Sequence, residues 1–284
     1  MPVTNAISAG IVALSCLFVL SAPSFAQESR IGDLTGDAGR GKKLYQRYCI
    51  GCHGERGDGR GENAVYVDPR PRDFTSGAFK CRSTQSGSIP LDSDLFNAIG
   101  RGIYATAMPP WLPLTRQQRA DLVAFVKSFS SRFREEKAGM RVEIPPETPA
   151  DSASIDRGRD VYQETVKCVL CHGKEGRGDG PSAPTLTDAK GDPIQPTNFT
   201  TMPRFKCGES NQDLYRVLMT GLDGSPMASF SNSLKPEQAW DLVHYLRSLG
   251  PNSQKETKNS NARRQITSTD VGKVTRATET GGPP

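Results

Sequence analysis

The chain has 284 residues, 35% of them hydrophobic and 24% charged, with 36 Lys and Arg against 31 Asp and Glu for a formal net charge of +5. That length suits two domains of ordinary size, but the apolar fraction is thin for the cores they would need. A charge balance this near neutral gives no support to nucleic acid as a partner.

Residues 1–26 contain no Asp, Glu, Lys or Arg, and within them Ile7 to Leu20 is an apolar run of 14 residues followed by Ser24-Phe25-Ala26. This reads as a signal peptide with a small-x-small cleavage site, its apolar run too short to span a bilayer comfortably. The expected location is therefore periplasmic, without a membrane anchor. The leader lacks the usual Lys or Arg at its start, so an uncleaved anchor is the alternative. Cys16 reads as part of the apolar run.

A first helix is expected over Gly39 to Tyr48, with Gly41 and Tyr45 on one face as a small notch beside an aromatic. It runs into Cys49-Ile50-Gly51-Cys52-His53, and the same C-x-x-C-H pattern returns as Cys168-Val169-Leu170-Cys171-His172. Two thiols one turn apart can reach the two vinyl positions of one porphyrin, which leaves the adjacent imidazole under the metal. The pattern thus points to two covalently bound haem c groups, with His53 and His172 on iron. Zinc would need further Cys or His ligands at matching spacing, and a redox dithiol would not need the histidine twice. A porphyrin also supplies a large apolar surface for a thin core to close around.

The glycine-rich runs Gly57 to Gly61 and Gly176 to Gly180 resemble phosphate loops, but neither follows a strand nor opens a helix, so they read as tight turns. A short middle helix is expected near Asp92 to Ile99, then a proline-stiffened loop carrying Met108, then a last helix from Thr115 with Leu122, Val123, Val126 and Phe129 at helical spacing. Glu143 to Pro149 is acidic and Pro-rich, an extended linker. The second half repeats the plan: helices from Asp156 to Thr165, from Ser210 to Met219 and from near Lys235, with Met227 in the loop. His53 and Met108 are 55 positions apart, as are His172 and Met227. Methionine is a common core filler, but filler would not recur at one spacing beside proline in both halves. Met108 and Met227 are accordingly expected as the second axial ligands.

The expected domains are residues 37–133 and 154–250, joined by a linker over 134–153 and followed by a disordered tail over 251–284, which is rich in Ser, Thr, Asn, Gly and Lys. His244 falls off the Leu242, Val243, Leu246 stripe and reads as a solvent histidine. Arg72, Lys80, Arg82, Arg204 and Lys206 are candidates to pair with haem propionates, a solvated basic face being the alternative.

On these motifs each half resembles a class I cytochrome c. Arg72-Asp73-Phe74-Thr75 with Phe79-Lys80 further resembles dihaem cytochromes c that serve respiratory redox complexes. The resemblance implies an all-α fold of two tandem domains, each wrapped around one haem. Two function classes follow. One is a periplasmic carrier of single electrons between redox partner proteins, such as a donor dehydrogenase or reductase complex and an acceptor oxidase or soluble cytochrome. The other is a dihaem enzyme, peroxidase-like or thiosulfate-oxidising, with one open or unusually ligated iron. Two saturated His/Met irons leave no place for a substrate and favour the carrier. Cys81 and Cys207 stand at equivalent places in the two halves, open to an interdomain disulfide, to two buried thiols or to a ligand role.

Overall fold

The computed structural model describes residues 29–201 and 204–251. The expected signal peptide and, beyond Pro251, the expected disordered tail lie outside the described residues. The fold is helical, apart from a two-stranded antiparallel hairpin of β1 (Ser29–Ile31) and β2 (Leu34–Gly36). This hairpin was not expected from sequence, being short and without an alternating pattern. It leads directly into α1 (Ala38–Tyr48), which starts where the Asp37 carboxylate accepts the Arg40 backbone N–H at 2.7 Å.

In the first half, α1 is followed by the single-turn α2 (Ile50–His53), α3 (Asp92–Arg101), α4 (Arg116–Lys127) and the short α5 (Arg132–Glu135). The second half has α6 (Ser152–Asp160), α7 (Val169–His172), α8 (Asn211–Thr220) and α9 (Pro236–Ser248). Thr115 and Gln118 cap α4 reciprocally, and Ser210 with Asp213 does the same for α8.

The crossing of the first and last helices sets each half. A Cβ on Gly41 would collide with the carbonyl of Asp121, and one on Gly158 with that of Asp241, so only glycine lets α1 cross α4 and α6 cross α9 this closely. The same carboxylates then lock the crossing. Arg40 grips Asp121 with two bonds of 2.8 and 2.9 Å, and Arg157 grips Asp241 at the same two distances. Behind each crossing lies a separate core, one around Tyr45, Leu95, Leu122 and Val123, the other around Tyr162, Leu214, Trp240 and Leu242.

The halves differ where Tyr162 leads to Cys168. Six positions separate these residues, against four from Tyr45 to Cys49, and the excess is taken up by a π turn over Val161–Thr165. Widening one turn preserves the anchor. Tyr162 Oη donates to the Gly173 carbonyl at 2.7 Å, as Tyr45 Oη does to that of Gly54.

The halves are joined covalently by a disulfide between Cys81 and Cys207, with Cα atoms 5.1 Å apart. Arg82, its guanidinium fully buried, crosses the same interface to the Thr220 carbonyl at 2.6 Å and to Asp223 at 2.8 Å. The linker is extended but docked: Val142 N–H reaches the Ser83 carbonyl, and Glu147 accepts from Asn211. Its placement corrects the expectation for His244, which is buried rather than solvated. The ring lies 2.6 Å from Ser154 Oγ and 3.1 Å from Glu147, because the linker and the start of α6 close over a face that the periodicity of α9 alone leaves open.

Candidate haem sites

In the first half Cys49, Cys52, His53 and Met108 line one cavity of about 400 Å³. Phe74, Phe79, Leu95 and Val126 form part of its wall, so the first core supplies an apolar lining for the cavity. A cavity of this scale with an apolar wall suits a large apolar group.

The imidazoles are set for metal. His53 Nδ1 lies 3.1 Å from the Arg72 carbonyl and His172 Nδ1 lies 3.1 Å from that of Thr197. A carbonyl only accepts, so Nδ1 carries the proton and Nε2 presents its lone pair. Burial holds both rings below the ordinary histidine range and hence neutral, as a ligand must be. Each ring stacks on an aromatic at an equivalent position, His53 on Phe74 at 4.4 Å and His172 on Phe199 at 4.6 Å. The glycine-rich runs are the tight turns expected: Gly59 N–H donates to the His53 carbonyl and Gly178 N–H to that of His172.

The methionine loops are superimposable in their bonding. Ile103 N–H donates to the Met108 carbonyl and Trp111 N–H to that of Ile99; Leu222 and Phe230 make the same two bonds to Met227 and Leu218. Gly102 and Gly221 open these loops at φ of 70° and 67°, where a side chain would also strike the loop backbone. Met227 and Cys168 both pack against the second core.

Burial pushes the Cys49 and Cys168 thiols up to about 12. A dithiol oxidoreductase needs the opposite shift, a thiolate at neutral pH, so the redox-dithiol reading loses its chemistry. Among the described residues no group of three or more His, Cys, Asp and Glu side chains is placed to hold a metal ion by itself.

The charge lining the cavity favours an anionic guest. Arg70, Arg72, Lys80 and Lys206 line it, and no carboxylate does. Burial, with Arg72 and Lys206 beside it, pulls the Lys80 amine down to about 8. Crowded half-desolvated cations of this kind fit the propionates of a porphyrin. Lys206 belongs to the second half, so the first site is completed across the interface. Two of the five candidate cations do something else: Arg82 is spent on Thr220 and Asp223, and the exposed Arg204 pairs with Glu209. The residues present thus fit a covalently held haem, with the cysteines as attachment points, the histidine and methionine as axial ligands, and Arg72, Lys80 and Lys206 toward the propionates.

The family model for cytochrome c matches residues 38–130 and again 155–250. No curated protein matches the chain. Among solved structures the chain is similar to one from the Kuenenia stuttgartiensis reducing HAO-like protein complex, with 42% sequence identity and a TM-score of 0.74 over 75% of this chain and 97% of that one. Twice-repeated attachment motifs, imidazoles held in the metal-binding tautomer and two matches to one family lead to a single conclusion: the chain belongs to the cytochrome c family, whose members carry covalently bound haem c.

Proposed function

We propose that this protein carries single electrons between redox partner proteins through two haems, each held by His and Met. Haem would be attached at Cys49 and Cys52 with His53 and Met108 as axial ligands, and at Cys168 and Cys171 with His172 and Met227. When bound, the haem supplies a one-electron iron couple. The chain's own residues fix the ligand tautomer, exclude water from the porphyrin faces and place cations at its edge.

The observation that carries this reading is that His53 and Met108 line one cavity, with the same loop bonding repeated at Met227. Both axial positions are then filled by the chain, which leaves a substrate nowhere to bind and disfavours the peroxidase-like or thiosulfate-oxidising alternative. The similar structure comes from a protein complex, which supports work alongside partner proteins. Val65, Tyr66 and Leu112 are 64%, 84% and 68% exposed next to Val67 and Trp111 of the cavity wall, a surface suited to brief docking. A periplasmic location is supported by the apolar leader and by the interdomain disulfide, which persists in an oxidising compartment.

The test is stopped-flow oxidation of the reduced holoprotein by a soluble redox partner, alongside exposure to carbon monoxide, peroxide and thiosulfate. Fast electron transfer with no carbon monoxide binding and no turnover is expected. Rapid ligand binding at one iron with steady turnover of either substrate would overturn the carrier in favour of the enzyme.

A further inference from the structure

A second cavity, of about 130 Å³, lies between α3 and α8 where the two halves meet. At about 30 Å³ per water, it has room for one small polyatomic ion and its remaining hydration. Its wall is polar and cationic. The first half contributes Arg101 and Asn97, the linker contributes Arg141, and the second half contributes Arg216.

Asp94 and Asp213, at equivalent positions of the two halves, are the carboxylates lining it, and both have structural duties. Asp94 Oδ2 accepts from Ser83 N–H, Ser83 Oγ and Leu91 N–H; Asp213 Oδ2 accepts from Ser210 N–H and Oγ. These bonds cap α3 and α8. Asp213 Oδ1 is further engaged by Arg216 at 2.5 Å, which leaves Arg101 3.9 Å away. Among the described residues the Arg141 guanidinium reaches only the Ser93 hydroxyl, at 3.3 Å. The fourth guanidinium in the wall, Arg82, is already matched to Asp223 and Thr220.

Three guanidinium groups from three separate parts of the chain therefore converge on two carboxylates whose Oδ2 atoms are committed to helix caps, and only Arg216 is directly paired there, with Asp213 Oδ1. The surplus is positive, and Arg101 and Arg141 hold planar donor forks with only long contacts. Burial draws the Arg101 guanidinium below its ordinary range, and Arg216 pulls the same way against Asp213. Such a site suits an acceptor-rich, donor-free anion whose oxygens meet the forks.

We propose that this cavity binds one small inorganic oxyanion of the phosphate or sulfate class through Arg101, Arg141 and Arg216, and that the bound anion fastens the two halves and the linker together. Chloride has no oxygens to share among three forks and should be a poor substitute.

The experiment uses the disulfide-intact holoprotein. Thermal unfolding and titration calorimetry are run with phosphate, then sulfate, against chloride at matched ionic strength. The expected result is a saturable rise in unfolding temperature with one site per chain. Binding should weaken about tenfold or more in Arg101→Gln and in Arg141→Gln, the loss of one charge-assisted contact each, and remain unchanged in Arg177→Gln, an exposed arginine paired with Glu175. Should Arg101→Gln fail to mature, Arg141→Gln decides, since Arg141 lies on the exposed linker. A response to phosphate and sulfate equal to that of chloride, or binding that survives both substitutions, overturns the proposal.

Discussion

His53 Nδ1 donates to the backbone carbonyl of Arg72 at 3.1 Å, while the Arg72 side chain lines the same cavity as the imidazole. One residue thus serves the site twice. Its backbone orients the imidazole, and its guanidinium, partly buried, sets the local charge. The second half keeps the first role and drops the second: the carbonyl on His172 belongs to Thr197, a neutral residue. The two sites therefore share ligand geometry but differ in electrostatics.

Arg72→Gln should separate the two roles. The carbonyl remains, so the ferric spectrum and ligand set should be unchanged. Removing a positive charge from a poorly screened position favours the ferric state and lowers one reduction potential by tens of millivolts. Spectroelectrochemical titration reads both; two unmoved potentials would show that the guanidinium does not act on the iron.

Met108→Ala and Met227→Ala should each remove about half of the long-wavelength sulfur-to-iron band and lower one potential, as loss of a thioether ligand does. Each variant should also gain carbon monoxide binding at one iron. A band untouched by either substitution would mean that the loops are core filler.

Much of this site was legible in the sequence because duplication exposed it. A spacing of 55 repeated from His53 to Met108 and from His172 to Met227, and Gly41 with Tyr45 repeated as Gly158 with Tyr162. Helical periodicity found the buried faces of α4 and α9. What escaped depended on parts of the chain meeting from far away. The burial of His244 is made by Ser154 and Glu147, 90 and 97 positions distant. The entry of Lys206 into the first cavity, and the diversion of Arg82 to Thr220, both follow from how the halves dock. The π turn had a signal, the two extra residues before Cys168, and the hairpin had none.

The Arg40–Asp121 and Arg157–Asp241 pairs make stability depend on acid. Burial raises each carboxyl's pKa, but the bonds from Arg40 and Asp37 N–H, or from Arg157 and Ser154, outweigh it and hold both groups below the ordinary 3.8. A depressed folded value means that stabilisation is complete above the unfolded value and lost as pH falls through the folded one. Asp121→Asn and Asp241→Asn should therefore be less stable than the parent at neutral pH, with the gap shrinking below about pH 4. Urea unfolding at pH 7 and pH 3 measures it. A gap that widens in acid would contradict the pairing.

Gly41→Ala adds one methyl where the Asp121 carbonyl already sits. The helices must separate, at a cost of about 1–3 kcal/mol for overpacking. Gly39→Ala, two residues earlier in α1 and facing only the Asp37 side chain, is the control and should be near neutral. Chemical unfolding monitored by the haem band of the first site distinguishes them.

The disulfide closes a separation of 126 residues and crosses the interface where Lys206 enters the first cavity. Each half has its own core, its own helix crossing and its own attachment motif, so replacing Cys81 and Cys207 by Ser should leave both halves folded. What it should weaken is their association. Closing so long a loop is worth about 4 to 5 kcal/mol on chain-entropy grounds alone, and measured values commonly fall nearer 2 to 4. The parent should unfold in one transition and the double variant in two, and the potential of the first site should fall as Lys206 withdraws. Mass spectrometry of the unreduced parent should find no free thiol at either position. Two free thiols there, or an unsplit transition in the double variant, would show that the interface holds without the bond.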